Sequence, residues 1–377
     1  MLVLLDLSAA FDSIDHHVLL ARLHSRFGIS GKALAWIQNY LSNRTQSVII
    51  KNSMSKKWNL QFGVPQGSVL GPILFTLYMS PLGDIIKSHG INYHCYADDT
   101  QLYLSFNPKD FDTARKRIEE CISDIRSWMA SSFLCLNDSK TEFIVFGSKN
   151  SLSHLLSASL KIGKSEVSKV SEVRNLGSTL DESLSMQKQI NNTCKGAWMC
   201  LRRIGQIRQF LDKATAEKLV HAYISSKLDF MNALLYSLPS NHLDKLTRVQ
   251  NAAARLVTRT KKFDHITPVL VQLHWLPIAQ RIEFKILLLV YKCLHNLAPS
   301  YLSALIVPVS SQRALRSSSK NLLTVQKSRT IRYGDGAFCN AGPQLWNKLP
   351  ENVKDSASVD IFKSKLKTCL FNKAYGQ

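Results

Sequence analysis

The chain has 377 residues, with 48 Lys/Arg against 27 Asp/Glu for a net charge of +21. That length allows a sizeable core and two or three domains. Its eight cysteines show neither Cys-x-x-Cys spacing nor clustering, which excludes a zinc ribbon and a disulfide framework in favour of reduced thiols. The apolar start at Met1 is too short for a secretory leader and lacks a basic flank, and the densest apolar stretch, 286–291, is bracketed by Lys285 and Lys292, so neither a leader nor a membrane span is expected. The interior of a cell, nucleus or cytoplasm, is the expected location. The charge is uneven: residues 1–181 carry 19 Lys/Arg and 16 Asp/Glu, or +3, and residues 182–377 carry 29 and 11, or +18. A basic half of that kind attracts a polyanion, and nucleic acid is the expected partner.

In chain order, residues 2–5 form a continuous apolar run that predicts a buried strand ending at Asp6. Helical spacing predicts a helix over 12–27, capped by Asp12 or Ser13, and a second over 31–41. His16, His17 and His24 on the first of these are assigned structural or surface roles. Residues 46–51 and 57–62 read as paired strands around Asn52-Ser53. The loop Gly63-Val64-Pro65-Gln66-Gly67 has the composition of a turn whose backbone can approach a ligand closely, and a helix over 73–86 follows. Residues 92–104 read as two short strands meeting at Tyr96-Ala97-Asp98-Asp99. A helix over 113–131, a strand over 143–146 and a Ser-rich loop over 147–159 complete the first half.

Beyond 182 the pattern is helical. Segments 186–204, 216–228, 243–257, 278–294 and 358–371 carry apolar residues at helical spacing, the last with Ile361, Phe362, Leu366 and Leu370 inward. Residues 308–335 read as a Ser-rich, basic linker.

Two adjacent carboxylates at a hairpin are costly unless a cation neutralises them. A polar hairpin tip is the plainer alternative. Asp6, delivered by its own strand, adds a third carboxylate, and together the three have the makings of a site for two divalent ions roughly 3.5–4 Å apart, as in polymerases and nucleases. Mg²⁺ fits best, as a hard ion that takes oxygen ligands and shares them with phosphates; Mn²⁺ is the alternative.

In order and rough spacing, Asp6 with Phe11, then Gly63-Val64-Pro65-Gln66-Gly67, then Tyr96-Ala97-Asp98-Asp99 resemble motifs A, B and C of a reverse transcriptase palm. The run Leu5-Asp6-Leu7-Ser8-Ala9-Ala10-Phe11-Asp12 is similar to the LINE-type, non-LTR retrotransposon branch. Leu136-Asn137-Asp138-Ser139-Lys140-Thr141-Glu142 resembles motif D, and Asn175-Leu176-Gly177 with Asp181 resembles the motif E turn. His274-Trp275-Leu276-Pro277 and Ala341-Gly342-Pro343-Gln344-Leu345-Trp346 resemble segments downstream of the palm in such elements.

The resemblance implies an α+β fold: a palm of antiparallel sheet and packed helices with partial fingers over 1–181, a helical, basic thumb over 182–262, and a mostly helical LINE-specific region over 263–377. It implies RNA-directed DNA polymerase activity on an RNA template and DNA primer with deoxynucleoside triphosphates. Asp6, Asp98 and Asp99 would be the metal-binding catalytic residues, Asp99 at the edge. Phe11 would lie under the incoming sugar, Gln66 and Gly67 at the template–nucleotide pair, and Lys140 at the leaving phosphates. Arg202, Arg203, Arg255, Arg259, Lys261 and Lys262 would track the nucleic-acid backbone. Asp12, Asp15 and Asp181 are expected to cap or turn rather than ligate.

The family places fingers and an endonuclease upstream of motif A, and the sequence starts almost at that motif. The expectation is therefore a truncated chain, with impaired polymerisation and a first strand short of partners. The alternative is a non-catalytic remnant that binds nucleic acid through its basic half. A group II intron maturase fits the downstream segments less well.

Overall fold

Residues 2–5 do not form the under-partnered strand that the sequence suggests. In the computed structural model, which describes residues 1–155, 157–163, 165–309, 321–328 and 330–376, β1 (Leu2–Leu5) is interior to a four-stranded antiparallel sheet. The order is β10 (Glu142–Ile144), β1, β8 (Asp99–Tyr103), β7 (Asn92–Tyr96). Leu2 pairs with Ile144 on one side and Tyr103 on the other, so β1 fills both of its hydrogen-bonding edges. The partners come from later in the chain, which a local reading cannot supply.

Strand alternation gives this sheet two different faces. Val3, Leu5, Leu102 and Phe143 point into the main core, shared with helices α1 (His16–Phe27), α3 (Gly71–Met79), α4 (Leu82–Ser88) and α5 (Phe111–Ser131). Leu2, Leu4 and Ile144 point the other way, onto Val173 and Leu180 of the hairpin β13 (Glu172–Asn175) and β14 (Ser178–Asp181). Asp6, Asp99 and Gln101 share the parity of Leu2 and Leu4, so they belong to this second face.

The cap of α1 is Asp15, whose carboxylate accepts from the Val18 amide at 2.8 Å, rather than Asp12 or Ser13. Helix α2 (Gly31–Leu41) forms as the spacing predicts. The paired strands of 46–62 are two short ladders, β3 (Thr45–Gln46) with β6 (Trp58–Asn59) and β4 (Ile49–Ile50) with β5 (Ser53–Met54); the tight turn falls on Lys51-Asn52, with Lys51 at φ 52°. The helix expected over 73–86 is broken between α3 and α4 at Ser80-Pro81, since proline has no amide hydrogen with which to continue the helical ladder. The expected Ser-rich loop contains a short helix, α6 (Lys149–Leu152), because Leu152 and Leu155 bury themselves in the core. Strand pairs β2 (Leu7–Ser8) with β9 (Cys135–Leu136) and β11 (Ser159–Ile162) with β12 (Ser165–Ser168) complete the first compact unit, Met1–Leu184.

The second compact unit, Ser185–Gln377, is helical. Helix α7 (Gln187–Ile207) buries Ile190, Cys194, Ala197, Leu201 and Ile204 along one stripe and packs on α10 (Ser240–Thr258), which buries Leu246, Val249, Ala253 and Val257. Between them lie α8 (Lys213–Val220) and α9 (Ser226–Asp229), joined through a π-turn at His221–Ser225. Then follow α11 (Thr267–Gln272), α12 (Ile278–Leu294), α13 (Ser300–Ser303), α14 (Phe338–Asn347), α15 (Glu351–Lys354) and α16 (Val359–Tyr375).

The expected boundary at 262/263 falls inside this unit. Across it, Gln250 of α10 donates to the Leu276 carbonyl at 2.7 Å; beyond it, Tyr375 of α16 donates to the Trp275 carbonyl at 2.8 Å. The His274-Trp275-Leu276-Pro277 segment thus joins α10, α12 and α16. In Ala341-Gly342-Pro343, a Cβ at Gly342 would meet Val290 Cγ2 at 2.8 Å, so glycine permits α14 to approach α12. Ile361, expected inward, is exposed, and Phe371 takes its place in the core. Of the linker expected over 308–335, residues 310–320 and 329 lie outside the described residues. Residues 321–328 are held: the Leu323 amide and carbonyl bond the Asn347 side chain at 2.8 Å each, and the Gln326 amide bonds Asn340 Oδ1 at 3.1 Å. Among the described residues no helix is long and apolar enough to cross a membrane.

Candidate active site

The register Leu5 to Thr100, continued by one residue, sets Asp6 opposite Asp99. The β7–β8 hairpin closes with Tyr96 paired to Asp99, leaving Ala97 and Asp98 as its two-residue turn, with Ala97 at φ 53°. Asp99 therefore sits at a strand start and shares the face of Asp6, while Asp98 sits at the turn.

A cavity of about 410 Å³ opens on this face, lined by Asp6, Asp99, Gln101, Lys140, Glu142, Arg174 and Asn175 among others. The Asp99 carboxyl holds its proton more tightly than an ordinary carboxyl, first because it is partly desolvated, then through repulsion by Asp98 and by Asp6. Asp6 Oδ2 is buried with no hydrogen bond; the Lys140 ammonium, 3.5 Å away, pairs with it by charge alone. Of the three carboxylates selected from the sequence, Asp6 and Asp99 line this cavity, together with Lys140 and Arg174, and Asp98 stands beside Asp99 in the turn. Among the described residues, though, no group of three or more His, Cys, Asp or Glu side chains is close enough to hold a metal ion as it stands. The donor set fits a hard divalent cation in charge and element; the spacing is wider than a ligand cluster.

The Gly63–Gly67 loop is fastened to the segment after Asp6 by backbone. Gly63 donates to the Ile14 carbonyl at 2.8 Å and Val64 to the Phe11 carbonyl at 2.9 Å. Gly63 stands at φ 87°, and a Cβ there would meet Asp12 O at 3.0 Å and Phe11 O at 3.1 Å. Gln66 is exposed, with its amide donating to Asp12 Oδ1 at 3.2 Å, and Gly67 is open at φ 78°. The Phe11 ring stacks on Phe75 at 4.7 Å and 26°.

His16 bonds the Gly63 carbonyl at 2.8 Å and ties α1 to the loop, in keeping with the structural role expected of it. Two site features escaped the sequence reading. Asp12 receives Gln66. Gln101 and Asn175 exchange two side-chain amide bonds, Gln101 Nε2 to Asn175 Oδ1 at 2.8 Å and Asn175 Nδ2 to Gln101 Oε1 at 3.1 Å, joining the Asp99 strand to the β13–β14 turn, where Leu176 and Gly177 both have positive φ. The alternation from Asp99 to Gln101 was the available signal for the last.

Of the six basic residues expected on the nucleic-acid backbone, Arg202, Arg203, Arg259, Lys261 and Lys262 are exposed. Arg255 and Arg259 also hold the fold: Arg255 donates to the Lys261 and Asp264 carbonyls at 3.2 and 3.0 Å, and Arg259 to the Arg208 and Gln209 carbonyls at 3.2 and 3.5 Å.

Residues 1–180 match the reverse transcriptase (RNA-dependent DNA polymerase) family. A probable RNA-directed DNA polymerase from transposon BS of Drosophila melanogaster is 25% identical over 267 residues, covering 68% of this chain and 28% of its own length. The RNA-directed DNA polymerase from mobile element jockey of the same fly is 23% identical over 263 residues, 67% of this chain and 28% of its own. A putative 115 kDa protein in the type-1 retrotransposable element R1DM is 26% identical over 136 residues, 36% of this chain and 13% of its own. This chain thus spans 28% or less of these relatives. The two longer alignments exceed the first unit, so the similarity runs into the second. A solved telomerase from Candida albicans with a telomeric RNA fragment aligns over 75% of this chain and 47% of its own at 14% identity, with a TM-score of 0.33.

Proposed function

We propose, from the match of residues 1–180 to the reverse transcriptase family and the likeness to RNA-directed DNA polymerases of mobile elements, that this chain carries the nucleotidyl-transfer centre of an RNA-directed DNA polymerase, with residues 1–181 as its palm and partial fingers and 182–262 as a thumb-like segment. Its substrates are a primed RNA template and deoxynucleoside triphosphates, met inside the cell.

The observation that carries this is the register of β1 on β8. It brings Asp6 to Asp99, two positions selected by motif and separated by about half of the first unit. Asp6 and Asp98, with Asp99 beside them, would hold Mg²⁺ or Mn²⁺; the Oδ2 of Asp6, which accepts no hydrogen bond and faces only the Lys140 ammonium, and the raised proton affinity of Asp99 support that reading. Bound divalent ions supply charge neutralisation for the triphosphate and a lowered pKa for the primer 3′-hydroxyl. The residues supply position. The Phe11 ring, fixed by its stacking on Phe75, lies under the sugar and crowds a 2′-hydroxyl. Gln66 and Gly67 meet the template–nucleotide pair from a loop that backbone bonds hold to the Asp6 segment. Lys140 faces the leaving phosphates. Arg202, Arg203, Arg255, Arg259, Lys261 and Lys262 meet the phosphate backbone. In phosphoryl transfer, positioning and charge neutralisation provide most of the acceleration.

Primer extension on a primed RNA template with Mg²⁺ tests this. Asp98→Ala abolishes extension and leaves template binding intact. Full activity in that variant removes the carboxylate assignment. A wild-type chain that binds template and never extends it is instead the non-catalytic binder.

A further inference from the structure

The end of the α7–α10 pair presents two aromatic rings to solvent with no apolar neighbour to hide them. Phe210, at the turn after α7, is 79% exposed, and Phe263, in the turn after α10, is 92% exposed. Rings left so bare are unusual, since each forgoes a large burial gain. The two turns are fastened together. Arg208 donates to the Leu256 and Val257 carbonyls at 2.7 and 2.8 Å, and Arg259 reaches back to the carbonyls of Arg208 and Gln209. Each guanidinium thus ends one helix while binding the other turn. Arg255 braces the Phe263 turn through the Lys261 and Asp264 carbonyls. The rings are therefore carried on a braced platform.

The surroundings are cationic. Lys213, Arg259, Lys261 and Lys262 are exposed in these turns, and the Lys262 ammonium lies 5.8 Å from the Phe263 ring centroid. The acids of the two turns are occupied: Asp212 caps α8 through the Thr215 amide at 2.7 Å, and Asp264 accepts from the Lys261 amide at 3.0 Å. Bare aromatic faces among basic side chains are what unpaired nucleic acid requires, because every base offers a ring to stack and every linkage a phosphate. A protein partner of acidic character would use the lysines and leave the rings unexplained.

We infer that Phe210 and Phe263 form a base-stacking site for single-stranded nucleic acid, flanked by phosphate contacts from Lys213, Arg259, Lys261 and Lys262. This rests on the polymerase reading only for the class of partner. It assigns to this end of the second unit a hold on unpaired strand.

The test is equilibrium binding of the full chain to a fluorescein-labelled oligothymidylate and to an abasic strand of the same length, without nucleotides or divalent ions. Wild type prefers the base-bearing strand. Phe210→Ala with Phe263→Ala lowers affinity for that strand by about fivefold to a hundredfold per ring, leaves abasic binding unchanged, and leaves the salt slope unchanged because no phosphate contact is lost. Phe210→Trp with Phe263→Trp retains the preference. Lys261→Ala with Lys262→Ala weakens both strands together and flattens the salt dependence. The inference is overturned if the double alanine variant still prefers bases as wild type does, or if wild type binds the two strands alike. Neither result touches the polymerase reading, which is judged by primer extension with Asp98→Ala.

Discussion

Gly63→Ala should loosen the junction between the Gly63–Gly67 loop and the segment following Asp6, and its cost can be worked from the backbone. Gly63 stands at φ 87°, where a side chain costs roughly 1–2 kcal/mol. Its new Cβ would also meet Asp12 O at 3.0 Å, Asp12 Cα at 3.1 Å and Phe11 O at 3.1 Å. All three are backbone atoms and cannot rotate aside. Relief requires the two segments to part, straining the Gly63–Ile14 and Val64–Phe11 hydrogen bonds, an overpacking cost of about 1–3 kcal/mol. The sum is about 2–5 kcal/mol. Gly67→Ala is the matched control: φ is 78°, yet nothing lies within 4 Å of its Cβ, so only the roughly 1–2 kcal/mol backbone cost applies. The unfolded-chain benefit of replacing glycine is common to both and cancels. The difference, about 1–3 kcal/mol, is read from hydrogen exchange of the Val3 and Leu102 amides, which belong to the paired strands β1 and β8. Equal protection in the two variants would show that the loop does not approach this closely.

Two further outcomes follow from the site. Asp99 binds its proton more tightly folded than unfolded, so its contribution to stability is present in acid and lost as pH rises through its raised pKa. Asp99→Asn should therefore stabilise the first unit at neutral pH, with a gain that fades in acid and shrinks when Mg²⁺ is added. A pH-independent gain would remove the electrostatic origin. Gln101→Leu strands the Asn175 amide and should cost about 1–3 kcal/mol. Primer–template KM should rise more than kcat falls, and the exchange Gln101→Asn with Asn175→Gln, which conserves the combined length, should restore it. No rescue would reduce the pair to ordinary packing.

The carboxylate positions and the helices were legible in the sequence because their signals are local. Adjacent aspartates at a hairpin, an acid ending an apolar run and apolar residues at helical spacing all lie within a few residues of one another. Helices α2 and α12 begin and end where their spacing places them. The breaks in that legibility have one cause. β1 looked short of partners because β8 and β10 lie far along the chain. Leu152 and Leu155 looked like parts of a polar loop because the core that takes them is assembled from other elements. Arg255 and Arg259 read as free cations because the carbonyls they hold belong to turns that only folding brings near.

By itself the sequence selected the side chains proposed to carry the chemistry, since residue type and order need no third dimension. Tertiary structure alone decided that Asp99, by strand parity, shares a face with Asp6 while Asp98 occupies the turn. It also decided that the Gly63–Gly67 loop is bound to the Asp6 segment by backbone, and that Phe210 and Phe263 stay in water. Each depends on which distant segments become neighbours, and the energy of that choice is spread over the whole core rather than written in any short stretch of chain.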